Sequence, residues 1–110
     1  TVLDLAKWDI ALTDGRILKP ETRQRMWSKA KLNDGSESGY GFGWAIGEVN
    51  RHRVLSHTGS HGTGFASVIQ RYPDDGISVI ILSNLGGANV SRIAREVAGL
   101  YVGILSPEPQ

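Results

Sequence analysis

The sequence predicts an α+β fold, with an antiparallel sheet of about four strands flanked by N-terminal and C-terminal helices. Three observations carry this. Apolar residues recur with a helical period over Val2–Thr13 and again from Val90 onward. Between these stretches, four runs with strand character follow one another through short polar turns. No helical pattern separates those runs, so neighbouring strands join as hairpins and run antiparallel.

In the first helix, Leu5, Trp8, Ala11 and Leu12 fall on one stripe, while Asp4, Lys7 and Asp14 lie off it. Thr1 is placed to cap its start and Gly15 to stop it. Lys19-Pro20-Glu21 opens a second, short helix, because proline suits the first helical position and an acid suits the first turn. Its expected end is near Trp27 or Ser28, and residues 32–39 have loop composition. From Tyr40 the bulky residues Tyr40, Phe42, Trp44 and Ile46 alternate with Gly41, Gly43, Ala45 and Gly47. That period of two predicts a strand with one bare face, which marks close approach by another backbone or a ligand. A second strand is expected over Val54–Thr58, after a turn at Asn50–His52, and a third over Phe65–Tyr72. Pro73-Asp74-Asp75-Gly76 is a hairpin turn. The fourth strand, Ile77–Ser83, is apolar on both faces and is expected to lie centrally with cover on both sides. Asn89 caps the last helix, with Val90, Ile93, Ala94, Val97, Tyr101 and Ile104 as its core stripe and Ser91, Arg92, Arg95 and Glu96 on its wet side. Pro107 and Pro109 end it, and the tail is expected to fray. Residues 1–110 thus read as one domain or fragment, with a helical and loop part over 1–39 and the sheet plus C-terminal helix over 40–106.

Composition narrows the function classes. The chain has 110 residues, 40% of them apolar, enough to bury a core. Twelve Lys and Arg stand against 11 Asp and Glu, and the basic residues are scattered, so no nucleic-acid partner is expected. Without cysteine there is no disulfide, thiolate metal site or cysteine nucleophile. No apolar run approaches the roughly 20 residues that cross a bilayer, so no transmembrane segment is expected. The start at Thr1, with no Met and no signal peptide, is that expected of a processed or trimmed chain.

The densest chemistry lies in residues 56–65, which carry His57, Thr58, Gly59, Ser60, His61 and Thr63 at the end of a strand. One reading is a polar glycine turn between strands. Another is a polarising histidine beside glycine-rich backbone amides suited to an oxyanion. A phosphate-cradling loop is rejected, since no lysine follows and a strand comes next. His57 and His61 are four apart, a spacing that converges on a helix and not on a strand, so no metal and no cofactor are expected; a histidine-based metal hydrolase stays as a weaker alternative. Ser28-Lys29-Ala30-Lys31 fits a Ser-x-x-Lys pattern but sits where a helix gives out, and is read as coincidence. Thr1 as an amino-terminal nucleophile is set below its role as a cap. Asn89-Val90-Ser91 is a glycosylation sequon at a helix start, and His52, between Arg51 and Arg53, is expected to be solvated. Trp8 and Trp27 are assigned to packing; Trp44 packs or walls a cleft.

Asp4-Leu5-Ala6-Lys7-Trp8, Gly15-Arg16-Ile17-Leu18, Tyr40-Gly41-Phe42-Gly43-Trp44, His57-Thr58-Gly59-Ser60, and Arg71-Tyr72-Pro73-Asp74 with Gly76 occur in that order. This ordered set resembles the C-terminal part of the serine β-lactamase and penicillin-binding-protein-like family, in its class C β-lactamase and esterase branch. The resemblance implies a partial β-lactamase/transpeptidase-like fold, with an active site between a sheet domain and a helical domain. It implies acyl hydrolysis of an ester, amide, peptide or β-lactam through an acyl-enzyme. His57-Thr58-Gly59 aligns with the family's third motif, often Lys-Thr-Gly. On that alignment His57 and Ser60 are the catalytic candidates, Ser60 through its amide, and Thr58 and Gly59 are the substrate-binding ones. The family's upstream Ser-x-x-Lys and Tyr-x-Asn motifs have no counterpart here, so the nucleophile is expected outside this chain, which alone is expected to be inactive. Histidine in place of lysine resembles the esterase and D-amino-acid peptidase relatives. A periplasmic or extracellular parent is what the resemblance implies; the residues themselves assign no compartment. The alternative is a non-catalytic module with the same cleft wall. If a missing part covers one sheet face, the isolated chain is expected to form a homo-oligomer or an exchanged dimer.

Overall fold

The structure is a computed structural model and describes residues 1–102. Helix α1 (Val2–Thr13) opens with a capping box: the Thr1 hydroxyl accepts from the Asp4 amide, and the Asp4 carboxylate reaches back to Thr1. Helix α2 (Pro20–Met26) has proline in its first turn. Strands β1 (Ala45–Val49), β2 (His52–His61), β3 (Phe65–Tyr72) and β4 (Ile77–Ser83) form one antiparallel sheet in the order β1-β2-β3-β4. Helix α3 (Val90–Tyr101) starts at Asn89, whose side chain accepts from the Arg92 amide at 3.1 Å.

The sheet has cover on both faces. On one, Val90, Ala94 and Ala98 of α3 meet Ala66, Val68 and Tyr72 of β3. These helix residues recur every fourth position, and the two alanines let the helix approach closely. Gln70 is buried on this face and donates to the Ser91 carbonyl at 3.0 Å while accepting from the Tyr72 hydroxyl at 3.1 Å. On the other face, Leu12, Trp27, Trp44 and Leu55 form a core. Trp8 stacks on Trp44 at 6.2 Å, and Trp27 meets Trp44 edge-on. Full burial of side chains such as Leu12 and Leu55 is worth roughly 1.5–3 kcal/mol each.

Several expectations change. The α1 stripe is rotated: Leu5 and Trp8 are 37% and 40% exposed, and Asp9 is buried beside Leu12. Asp9 turns inward because Arg71 of β3 meets its carboxylate at 2.5 Å, both side chains only 9% exposed. The strand expected from Tyr40 begins at Ala45, with Tyr40 only a bridge partner of Ala45. β2 is twice the expected length, since its hairpin with β1 closes on the two residues Asn50 and Arg51, both at positive φ. β4 has cover on both sides but is an edge strand among the described residues, not a central one. On α3, Ile93 and Tyr101 are exposed and Ala98 is buried instead. Ile104, Pro107, Pro109 and the tail lie outside the described residues.

Candidate active-site strand

The site grows from a mismatch in strand length. β2 has ten residues, but β1 pairs with only its first half, from Val49↔His52 to Ala45↔Ser56. On its other side, β2 pairs with β3 out to His61↔Phe65. Among the described residues, 57–61 therefore have a ladder on one side and an open edge on the other.

Backbone direction follows from alternation. The Ile46 amide donates to the Gly39 carbonyl at 2.8 Å, away from β2. Ala45 and Ser56 are then the pair whose main-chain groups face each other. Two and four residues on, the N–H and C=O of Thr58 and Ser60 point the same way, past the end of β1. Those of His57, Gly59 and His61 point into the β3 ladder. Side chains alternate too. His57, Gly59 and His61 share the face of Leu55, whereas Thr58 and Ser60 share the face of Val68. All five residues are exposed.

On the His57 face the fully buried core ends at Leu55, Ile69 opposite His57 is partly buried at its margin, and the sheet beyond is bare. A depression of about 250 Å³ lies between Gly59, His61, Phe65, Ser67 and Leu82. Gly59 keeps this face low: a Cβ there would stand 2.7 Å from the Ser67 hydroxyl. A second hollow of about 250 Å³ is formed by Tyr40, Ala45, Ser56, His57 and Thr58. Neither carries a Lys, Arg, Asp or Glu in its lining. A larger hollow, about 390 Å³, lies elsewhere, between α1 and the Arg71 end of the sheet.

The other candidates separate. Four strand residues place His57 and His61 about 13 Å apart. His61 Nδ1 meets the Thr63 hydroxyl at 2.8 Å, and His57 meets the Tyr40 ring. The two cannot share an ion, and no three metal-ligating side chains converge among the described residues. The Ser28 hydroxyl donates to the Gln24 carbonyl at 2.7 Å, while Lys31 lies in a β-bridge opposite Glu37, so they share no helix face. The Thr1 hydroxyl is committed to its cap, and Asn89 to the cap of α3. His52 is not solvated: its Nδ1 lies 2.9 Å from the Asp75 carboxylate, with 24% and 15% side-chain exposure.

Sequence reasoning missed Tyr40 as the neighbour of His57 and Asp9 as the partner of Arg71. The bare face at Gly41 was the available signal for the first. A Cβ at Gly41 would collide with the carbonyl oxygens of Met26 and Ser28, so the chain approaches there with no room for a side chain.

Comparison with known proteins agrees with this architecture. The chain is 32% identical over 82 residues to penicillin-binding protein 4* of Bacillus subtilis (strain 168), a match covering 74% of this chain and 18% of that protein. It superposes on the octameric penicillin-binding protein homologue from Pyrococcus abyssi with a TM-score of 0.81 and 29% identity, covering 94% of this chain and 24% of the other. The chain thus spans about a fifth to a quarter of the length of these relatives. The three helices and four-stranded sheet of its described residues are part of a β-lactamase and penicillin-binding-protein-like fold. The family model described as Beta-lactamase matches residues 1–103, and the chain belongs to that family.

Proposed function

We propose that this chain is the C-terminal part of a serine acyl hydrolase, and that it supplies one wall of the cleft. The observation that carries the reading is the open edge of β2 over His57–His61, with the Ser60 amide facing it. The attacking serine lies outside this chain. Its oxygen adds to the carbonyl of an ester, amide or β-lactam, and the carbonyl oxygen becomes an anion. The Ser60 N–H donates to that anion, as one of two donors. Collapse expels the alcohol or amine and leaves an acyl-serine, which water then hydrolyses. His57 projects on the bare face towards the acyl or carboxylate end of the substrate. Thr58 acts through its edge-facing main chain, since its side chain turns to the other face. Gly59 keeps the floor low. The uncharged lining favours esters over substrates that need a fixed cation.

Proline offers a sharp test. Proline at an edge position whose amide faces outward removes one donor without breaking the ladder. In a protein joining this chain to an upstream Ser-x-x-Lys region, Ser60→Pro lowers kcat by about 10²–10³, and Ser60→Ala does not. Equal activity in the two variants defeats the reading. The chain alone gives no burst with a nitrophenyl ester or a fluorescent penicillin; a burst that Ser28→Ala abolishes also defeats it.

Self-association belongs to the same proposal. The outer edge of β4 is unpaired among the described residues, and Phe65, Leu82, Leu85 and Leu100 are at least half exposed. Such an edge is a template for another strand. Light scattering is expected to show more than a monomer. No helix among the described residues is long and apolar enough to cross a membrane.

A further inference from the structure

We infer that Tyr40 is a positioning residue for His57, one that sets the plane of the imidazole and leaves both its nitrogens free for substrate. The inference rests on the reading of His57 as a cleft group. The three histidines differ in how they are held. His52 is fixed by the Asp75 carboxylate and His61 by the Thr63 hydroxyl, each through Nδ1 at 2.8–2.9 Å. Among the described residues, the contact recorded for the His57 ring is with Tyr40, at a centroid distance of 6.3 Å and an interplanar angle of 61°. Rings in this inclined arrangement attract edge to face. A hydrogen bond would occupy a nitrogen; a ring contact orients the imidazole without doing so. An exposed histidine with no such contact samples several rotamers, and a group that must meet a reacting atom loses effectiveness when its orientation wanders.

Tyr40 can do this because its own backbone is held on every side. Its amide donates to the Ser38 hydroxyl at 3.1 Å, and its carbonyl accepts from the Ala30 amide at 3.0 Å. The flanking glycines are tied to β1 and to the residue before it: the Gly39 carbonyl accepts from Ile46 at 2.8 Å, and the Gly41 amide donates to the Trp44 carbonyl at 2.7 Å. The Phe42 amide donates to the Met26 carbonyl at 3.0 Å, at the end of α2. Gly41, with no side chain, lets this segment lie flush against Met26 and Ser28. Leu12 and Trp27 already pack the helical part of the chain against Leu55 of β2; the Tyr40 ring adds a contact further along that strand, at His57.

Isotope-edited NMR of the histidine rings in this chain tests the inference. In the unaltered chain, His57 ring protons show cross-peaks to the Tyr40 ring and a ring-current displacement. Tyr40→Phe preserves both, since the ring and not the hydroxyl is at work. Tyr40→Leu moves the His57 signals to free-imidazole positions while His52 and His61 stay in place. Absence of the cross-peaks in the unaltered chain overturns the inference, whether or not the leucine variant folds. So does a leucine variant that leaves His57 unmoved, or moves all three histidines together. Failure of the hydrolase reading is told apart by Ser60→Pro, which does not touch this contact.

Discussion

Cutting the ion pair between α1 and β3 is the most demanding stability experiment. Asp9 and Arg71 lie 62 positions apart in sequence and meet at 2.5 Å with 9% side-chain exposure each. Arg71 also lies over the Trp27 ring at 5.3 Å, and its Nε has no hydrogen-bond partner among the described residues. Asp9→Ala leaves a buried guanidinium with no counter-charge. Breaking such a pair costs about 3–5 kcal/mol, because the remaining charge keeps its desolvation penalty. The hollow of about 390 Å³ beside Arg71 admits water and favours the lower end of that range. A loss of about 3 kcal/mol, with a urea slope of about 1.5 kcal/mol/M, lowers the midpoint by about 2 M. Tryptophan fluorescence reports the transition, since Trp27 packs against Arg71 and both Trp8 and Trp27 pack on Trp44. Asp9→Leu combined with Arg71→Met removes both charges and recovers most of the loss. A midpoint shift below about 0.5 M for Asp9→Ala, or a double variant no better than the single, refutes the account.

Three further outcomes follow from local geometry. Gly41→Ala drives a Cβ into the Met26 and Ser28 carbonyls and costs about 1–3 kcal/mol by urea unfolding, whereas Gly39→Ala meets nothing within 4 Å and is close to neutral. Arg51→Gly relieves a residue at φ 70° in the β1–β2 turn and raises stability by up to about 1 kcal/mol. Burial holds the Tyr72 phenol above its ordinary value near 10, with Arg95 opposing and Asp75 assisting. The unfolded chain therefore loses this proton first, and the contribution of Tyr72 to stability is present below about pH 10 and lost as the pH rises towards its folded value. Tyr72→Phe, followed by urea unfolding from pH 8 to 11, flattens that alkaline decline; it costs about 1 kcal/mol at neutral pH through the lost bond to Gln70.

Features encoded by neighbours along the chain were legible before any coordinates. The bounds of α1, β3 and β4 coincide with the apolar patterns at Val2–Thr13, Phe65–Tyr72 and Ile77–Ser83, and Thr1 and Asn89 cap as their side chains dictate. The His57-Thr58-Gly59-Ser60 segment was legible as a strand end carrying polar groups. Its open edge was not, because that depends on where β1 begins, and β1 begins late, at Ala45, because the chain from Gly39 to Trp44 is pinned against Met26 and Ser28. Periodicity counted Leu5 and Trp8 as core because it registers apolarity alone; Arg71, distant in sequence, decided that Asp9 faces inward.

By itself, then, the sequence determined the helices and strands, their antiparallel order and the segment where chemistry is concentrated, since these follow from propensities and spacings over a few residues. Only the tertiary structure decided that β4 is an edge, that His52 is clasped by Asp75, that Ser28 and Lys31 part, and that Tyr40 stands beside His57. Each of those depends on which distant surfaces meet, and a contact between residues far apart in the chain leaves no periodic trace in either segment.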